Sequence, residues 1–215
     1  MISDERLTVY LHSLDAGNGA FCDAMEREAR ASGIPIIRKE TAALLKTMVT
    51  LKRPERILEV GTAIGYSALL MAGVMPETAH ITTIEKYEKR IPAAKENFRR
   101  AGMEKTITLL EGDAGEILAG LSGSFEFIFM DAAKGQYIRW LPDLLRLLAP
   151  GGLLMSDNVL QEGTIAQSRY AVERRERTIH ERMREYLYAL THSEELETSV
   201  LTVGDGVALS VKRAV

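Results

Sequence analysis

The sequence predicts a doubly wound α/β domain: an open, mostly parallel sheet of seven strands with an antiparallel edge hairpin and an N-terminal helical cap. Three observations predict it. Up to Pro54 the chain shows only helical periodicity. Beyond Pro54, five short apolar runs alternate with amphipathic segments, the order that builds parallel strands covered by helices on both faces. Near the end, two strand-like runs meet through Gly204-Asp205-Gly206, a turn whose shortness suggests an antiparallel hairpin closing the sheet.

Taken in order, helices are expected over 4–15 and 20–31, the second stopped by Gly33-Ile34-Pro35. A third runs over 39–51, where Leu44, Leu45, Met48 and Val49 recur at helical spacing and bury one face. The alternation then gives strand 56–60, helix 66–74, strand 80–84, helix 88–101, strand 106–110 and helix 114–121. Strand 125–130, helix 137–148 and strand 152–156 follow, then a long charged helix over 169–190 and strands 197–203 and 206–212. Such a Rossmann-like sheet holds its ligand beyond the carboxyl ends of its strands.

The 215 residues are 46% apolar and 27% charged, which is ample for one core. No repeat, low-complexity tract or Gly/Ser linker divides them. One domain over 1–215 is therefore expected, with 1–52 as the cap and 53–215 as the α/β core. No apolar run approaches the roughly 18 residues of a membrane span. The start, Met1-Ile2-Ser3-Asp4-Glu5-Arg6, lacks the basic and apolar regions of a secretory signal. A soluble, cytoplasmic protein without a membrane partner is expected. The single cysteine, Cys22, excludes an intramolecular disulfide and a cysteine-based zinc cage. A net charge of −3 argues against binding nucleic acid over the whole surface and leaves room for a local basic patch.

The most informative stretch is Ile57-Leu58-Glu59-Val60-Gly61-Thr62-Ala63-Ile64-Gly65-Tyr66-Ser67. A strand runs through an acidic residue into a glycine-bearing turn and a helix start. The loop is G-x-x-x-G, so neither the P-loop nor the G-x-G-x-x-G dinucleotide spacing is present. A carboxylate at Glu59 would crowd a pyrophosphate and favour a ligand carrying ammonium or sulfonium; S-adenosylmethionine carries both. The helix start near Gly65 and Ser67 offers free N–H groups. Glu85, ending the next strand, is placed to accept two ribose hydroxyls. Glu111-Gly112-Asp113-Ala114 forms a turn that can meet an adenine edge. Each of these residues also has a plain structural reading, as a turn glycine or a solvated acid, and it is their order along the chain that favours the ligand.

The fourth and fifth strands end in Met130-Asp131-Ala132-Ala133-Lys134 and Met155-Ser156-Asp157-Asn158. Adjacent strand ends would bring Asp131, Asp157 and Asn158 to one mouth, and two carboxylates with an amide oxygen are hard ligands suited to Mg²⁺. Lys134 could face the same pocket as a base or an anion stabiliser. The alternative is that Asp157-Asn158 caps the next segment and Lys134 is a surface residue.

These residues resemble the cation-dependent O-methyltransferases, the family that includes the catechol and caffeoyl-CoA enzymes, along essentially the whole chain. The markers are Glu59-Val60-Gly61, Gly65-Tyr66-Ser67, Glu85, Gly112-Asp113-Ala114, Asp131 with Lys134, and Asp157-Asn158. Within that family the chain looks most like the bacterial members that methylate 5-hydroxyuridine at the tRNA wobble position. That likeness lies in the 61–67 loop, Asp131-Ala132-Ala133-Lys134-Gly135-Gln136-Tyr137, Asp157-Asn158-Val159-Leu160 and Val203-Gly204-Asp205-Gly206. The resemblance implies that Ile37, Glu59, Gly61, Ser67, Glu85, Asp113, Ala114 and Asp131 meet S-adenosylmethionine. It implies that Asp131, Asp157 and Asn158 hold Mg²⁺, or Mn²⁺ in its place, and that Lys134 and Asp131 are catalytic.

A cation bound to a hydroxyl oxygen stabilises the anion that attacks the methyl group, and a second substrate oxygen completes a chelate. Catechols and 5-hydroxyuridine both offer that oxygen pair, so both substrate classes remain open. Between Arg169 and Arg184 stand six arginines against three glutamates. Arg169, Arg174, Arg175 and Arg177 could hold the phosphates of a tRNA anticodon region; the other reading is a solvated helix laced with Glu–Arg pairs. The N-terminal helices and apolar edge positions point to a homodimer.

Overall fold

The computed structural model describes residues 5–214. The expected helix over 4–15 is α1, Glu5–Ser13; its first expected residue, Asp4, lies outside the described residues. With α2, Ala20–Ala31, and α3, Lys39–Lys52, it forms the cap. The core follows as β1 Arg56–Val60, α4 Tyr66–Ala72, β2 His80–Glu85, α5 Ile91–Arg100, β3 Ile107–Glu111 and α6 Ala114–Gly120. It continues with β4 Phe125–Met130, α7 Tyr137–Leu147, β5 Leu148–Ser156, α8 Arg177–His192, β6 Leu196–Leu201 and β7 Val207–Lys212.

One seven-stranded sheet has the order β3-β2-β1-β4-β5-β7-β6. The first five strands are parallel, and β7 pairs antiparallel with both β5 and β6. The doubly wound sheet with its edge hairpin is therefore present as expected. Its apolar runs are continuous because both faces are covered. Ile57, Ile81, Phe127, Phe129 and Met155 pack with the cap, α4 and α5. Their neighbours Leu58, Val60, Ile84, Ile128, Met130 and Leu154 pack with α6, α7 and α8 on the other face. β1 lies between β2 and β4, so chain order reverses beside it and the crevice at its carboxyl end becomes the ligand site. Among the described residues no helix is long and apolar enough to cross a membrane.

Several boundaries differ from the sequence reading, among them the start of the fifth strand at Leu148 rather than 152, and two of the differences shape the site. α5 begins at Ile91 rather than 88, because the Glu85 carboxylate captures the N–H groups of Lys86 (2.9 Å) and Tyr87 (2.8 Å) and holds 86–90 as a separate turn. The long charged helix begins at Arg177 rather than 169. Residues 168–176 form turns instead, with Val172 buried and the Arg177 guanidinium folded back onto the carbonyls of Val172 (3.2 Å) and Tyr170 (3.4 Å). Burial of Val172 and these carbonyl bonds outweigh the helix propensity of the arginines and glutamates.

Candidate active site

A cavity of about 990 Å³ opens at the carboxyl ends of β1 to β5. Its floor is the turn after β1. Gly61 has φ +106°, and a Cβ there would lie 1.9 Å from the Asp131 carbonyl oxygen, so only glycine lets the ends of β1 and β4 approach this closely. The Gly61 and Thr62 N–H groups donate to Ile84 O at 3.0 and 3.1 Å, fixing the turn against β2.

The sequence-predicted residues gather here, with Glu59 and Asp157 set behind the wall. Ile37, Gly61, Ser67, Glu85, Asp113, Ala114, Asp131, Lys134 and Asn158 all line the cavity. Ile37 comes from the loop between α2 and α3, so the cap supplies one wall. Glu85, which lines the cavity, is pinned by Ala63 N–H at 2.7 Å as well as by Lys86 and Tyr87, which leaves one lone-pair site, on Oε2, unused by these bonds. Asp113 caps α6 through Gly115 N–H at 2.9 Å and pairs with Lys86 Nζ at 2.8 Å, which holds its carboxyl below the usual range.

Glu59 lies just behind the cavity wall, next to Ser67, which lines it. It is fully buried, accepting from Ser67 Oγ and Thr83 Oγ1, both at 2.5 Å, while Thr62 and Thr83 share a hydroxyl bond at 2.6 Å. Burial pushes its carboxyl up to about 7 against those two donors, helped by the charges of Asp131 and Glu85. Its influence on a ligand therefore passes through Ser67 and through its charge.

The expected metal residues converge. β4 and β5 are neighbours in register, Met130 beside Ser156, so Asp131 and Asp157 follow in parallel. Asn158 Nδ2 donates to Asp131 Oδ1 at 3.0 Å. Asp157 is buried, its Oδ1 accepting from Asn158 N–H at 2.8 Å and from Thr41 Oγ1 at 3.4 Å. Burial, then the Asp131 charge, push the Asp157 carboxyl up to about 7; burial also raises that of Asp131, partly offset by Asn158 and Lys134. Two buried carboxylates that drive each other toward protonation, with an amide beside them, are the donor set a hard dication relieves. Among the described residues no three His, Cys, Asp or Glu side chains are grouped so as to hold a metal ion.

Four further residues shape the site without having been picked out in the sequence. Tyr137 is fully buried; its hydroxyl accepts from Ala132 N–H at 3.1 Å and lies 3.3 Å from Asp157 O, bridging the ends of β4 and β5. Thr41 ties α3 to Asp157. Asp205 pairs with Lys134 Nζ at 3.3 Å, and Trp140 of α7 lines the cavity along with Ala114. Tyr137 and Asp205 lie inside the stretches that carry the family likeness, but a turn motif says nothing about which distant side chain it meets. The arginine segment sits next to this mouth: Arg182 of α8 donates to Gly135 O at 3.2 Å, directly after Lys134.

The pattern of an O-methyltransferase family matches residues 25–213. The chain belongs to this family. It is 30% identical to a caffeoyl-CoA O-methyltransferase from Populus kitakamiensis, over 97% of this chain and 94% of that one. A Staphylococcus aureus structure assigned as a caffeoyl-CoA O-methyltransferase superposes with a TM-score of 0.89 at 30% identity, covering 97% of this chain and 100% of that one. A Podospora anserina methyltransferase solved with S-adenosylhomocysteine bound gives a TM-score of 0.87 at 25% identity, covering 98% of this chain and 95% of that one. The motifs that suggested a cation-dependent O-methyltransferase are thus carried on the fold of that family.

Proposed function

We propose that this O-methyltransferase transfers the methyl group of S-adenosylmethionine to the 5-hydroxyl of 5-hydroxyuridine at the tRNA wobble position, with Mg²⁺ held at Asp131, Asp157 and Asn158 and Mn²⁺ able to replace it. The observation that carries the reading is the meeting of Asn158 and Asp131 at 3.0 Å in the wall of the cavity that the Gly61 turn floors. It supports a cation, and through it an oxygen anion, beside the donor pocket.

A divalent cation there supplies charge that makes the substrate hydroxyl easier to deprotonate. The chain's own residues do the rest. Asp131 and Asp157 bring negative charge that favours a cation, and a half-turn of the Asn158 amide presents its oxygen to the same point. Lys134 places its ammonium at the mouth to stabilise the oxygen anion. The Gly61 turn, Glu85 and the cap loop at Ile37 orient the donor so that oxygen, methyl carbon and sulfur can align. One C–O bond forms, one C–S bond breaks with its electron pair going to sulfur, and the hydroxyl proton leaves to solvent.

The tRNA reading is supported by the exposed arginines of the segment that leads into α8, a helix whose Arg182 touches Gly135 beside Lys134. The Arg169 and Arg175 side chains are 54% and 78% exposed, Arg174 is exposed and Arg177 half-buried. A small catechol-type acceptor is the second reading, favoured by the kinship with caffeoyl-CoA enzymes and by a metal site that asks only for two adjacent oxygens. Nucleoside mass spectrometry of tRNA from cells with and without the gene tests the choice. Loss of 5-methoxyuridine with accumulation of 5-hydroxyuridine is expected; unchanged tRNA alongside rapid turnover of simple catechols would overturn it. Pairing of two copies through the N-terminal helices is part of the proposal, since Val9, Tyr10, Leu11 and Leu14 of the α1 region are exposed; sedimentation measures it.

A further inference from the structure

We propose that Asp205, in the turn between β6 and β7, is the residue that positions Lys134 for methyl transfer. The inference rests on the reading of Lys134 as the residue that meets the substrate oxygen.

Lys134 begins a single 3-10 turn, Lys134–Gln136, and its side chain is 34% exposed at the cavity mouth. A lysine side chain left loose there would spread its ammonium over many rotamers, few of them aimed at the reacting oxygen. Among the described residues its one ion pair is with Asp205, 3.3 Å away and 4% exposed. Asp205 divides its carboxylate: Oδ2 takes the Lys134 ammonium and Oδ1 accepts the Glu162 N–H.

The anchor is itself fixed. Leu160 N–H donates to Asp205 O and Val159 N–H to Gly206 O, both at 3.0 Å. Gly206 has φ +86°, and a Cβ there would lie 2.2 Å from Leu160 Cγ, so the hairpin turn and the segment after Asn158 interlock. Glu162 stands in a run of left-handed residues, Gln161 (φ 49°), Glu162 (φ 54°) and Gly163 (φ 85°), which the bond to Asp205 helps to hold. The same carboxylate thus fastens the segment leading away from Asp157-Asn158 and aims the lysine that follows Asp131. A buried acid also favours a cation at that spot over an empty one.

A double-mutant cycle tests this with S-adenosylmethionine and two acceptors, hypomodified tRNA and 3,4-dihydroxybenzoate. The proteins are wild type, K134M, D205A, D205N and D205A/K134M. D205A should lower kcat by about 10- to 100-fold with KM within about threefold, and D205N should fall between D205A and wild type. In the K134M background D205A should change kcat less than about threefold, because the residue through which it acts is gone. If D205A multiplies its full factor onto K134M, or both Asp205 variants turn over like wild type, Asp205 does not act through Lys134 and the inference falls. K134M with wild-type kcat would instead remove the catalytic reading of Lys134, a failure visible before any Asp205 variant is made. Calorimetric binding of S-adenosylhomocysteine reports folding. Should D205A not accumulate folded, D205N, which keeps an oxygen for the Glu162 N–H, carries the same cycle.

Discussion

Replacing Gly61 by alanine is the most direct trial of the idea that close contact between strand ends builds the site. Two costs add. At φ +106° a Cβ is strained, which is worth about 1–3 kcal/mol. The new methyl would also start 1.9 Å from Asp131 O and 2.8 Å from its carbon, and forcing an atom into packed backbone costs about 1–3 kcal/mol more. A loss of roughly 2–6 kcal/mol follows, which in a chain of 215 residues lowers the melting temperature by about 4–24 °C. Gly102 supplies the control, since it has φ +67° but nothing within 4 Å of an added methyl, so Gly102→Ala carries only the conformational cost. Because relief of the clash pushes the Asp131 backbone away, turnover should drop about 100-fold in Gly61→Ala even at temperatures where it is folded. Thermal melts, S-adenosylhomocysteine calorimetry and kcat of both variants check this. If Gly61→Ala melts with Gly102→Ala and turns over like wild type, the contact does not organise the site.

Three other outcomes are expected. Chelation should abolish methyl transfer, with Mg²⁺ restoring the wild type, whereas Asp131→Ala should stay at least about 100-fold slower under saturating Mg²⁺. Glu59, raised to about 7 in the fold from an ordinary 4.5, binds a proton that the unfolded chain releases between those values. Its stabilising share is therefore whole below pH 4.5 and lost as pH rises through about 7, on the order of 3 kcal/mol. Urea midpoints measured at about pH 5.5, 6.5 and 7.5 should fall less steeply for Glu59→Gln than for wild type. The Arg174→Glu/Arg175→Glu variant should raise KM for tRNA about tenfold or more and flatten its salt dependence, leaving KM for a small vicinal diol unchanged; equal effects on both acceptors would detach these arginines from tRNA.

The sheet was legible because its strands are buried on both faces. Phe125-Glu126-Phe127-Ile128-Phe129-Met130 has room for only one polar side chain, and that is where the alternation of helix and strand became readable. The residues of the mouth were legible for a related reason: strand ends in a doubly wound sheet must face one crevice, so Asp131 and Asp157 could be paired without coordinates. What stayed hidden depended on contacts far apart in sequence. Thr41 meets Asp157 across 116 residues and Asp205 meets Lys134 across 71, and neither pairing leaves a local signature. The arginine segment misled for the opposite reason. Its local propensity is helical, while the burial of Val172 and the return of Arg177 onto backbone carbonyls are tertiary. Glu59 was found by its place on β1, yet its hydroxyl partners Ser67 and Thr83, which turn it away from the cavity, are set by packing between β1, β2 and α4.

Substrate choice then lies outside the chemistry shared by both readings. The donor pocket and the proposed cation ligands come from the ends of the parallel strands and ask only for a sulfonium and a vicinal oxygen pair. One wall comes from elsewhere, the cap loop at Pro35–Ile37. Arg38, next in the chain, pairs with Glu162 at 2.9 Å, with side chains 48% and 72% exposed. An exposed pair of this kind is worth about 0–1 kcal/mol and weakens with salt. Below it, the buried Thr41–Asp157 contact keeps the cap registered on the site. On the proposed reading the carboxylates at the floor serve either acceptor alike, so what distinguishes the two acceptors is sought at the exposed charges of the rim.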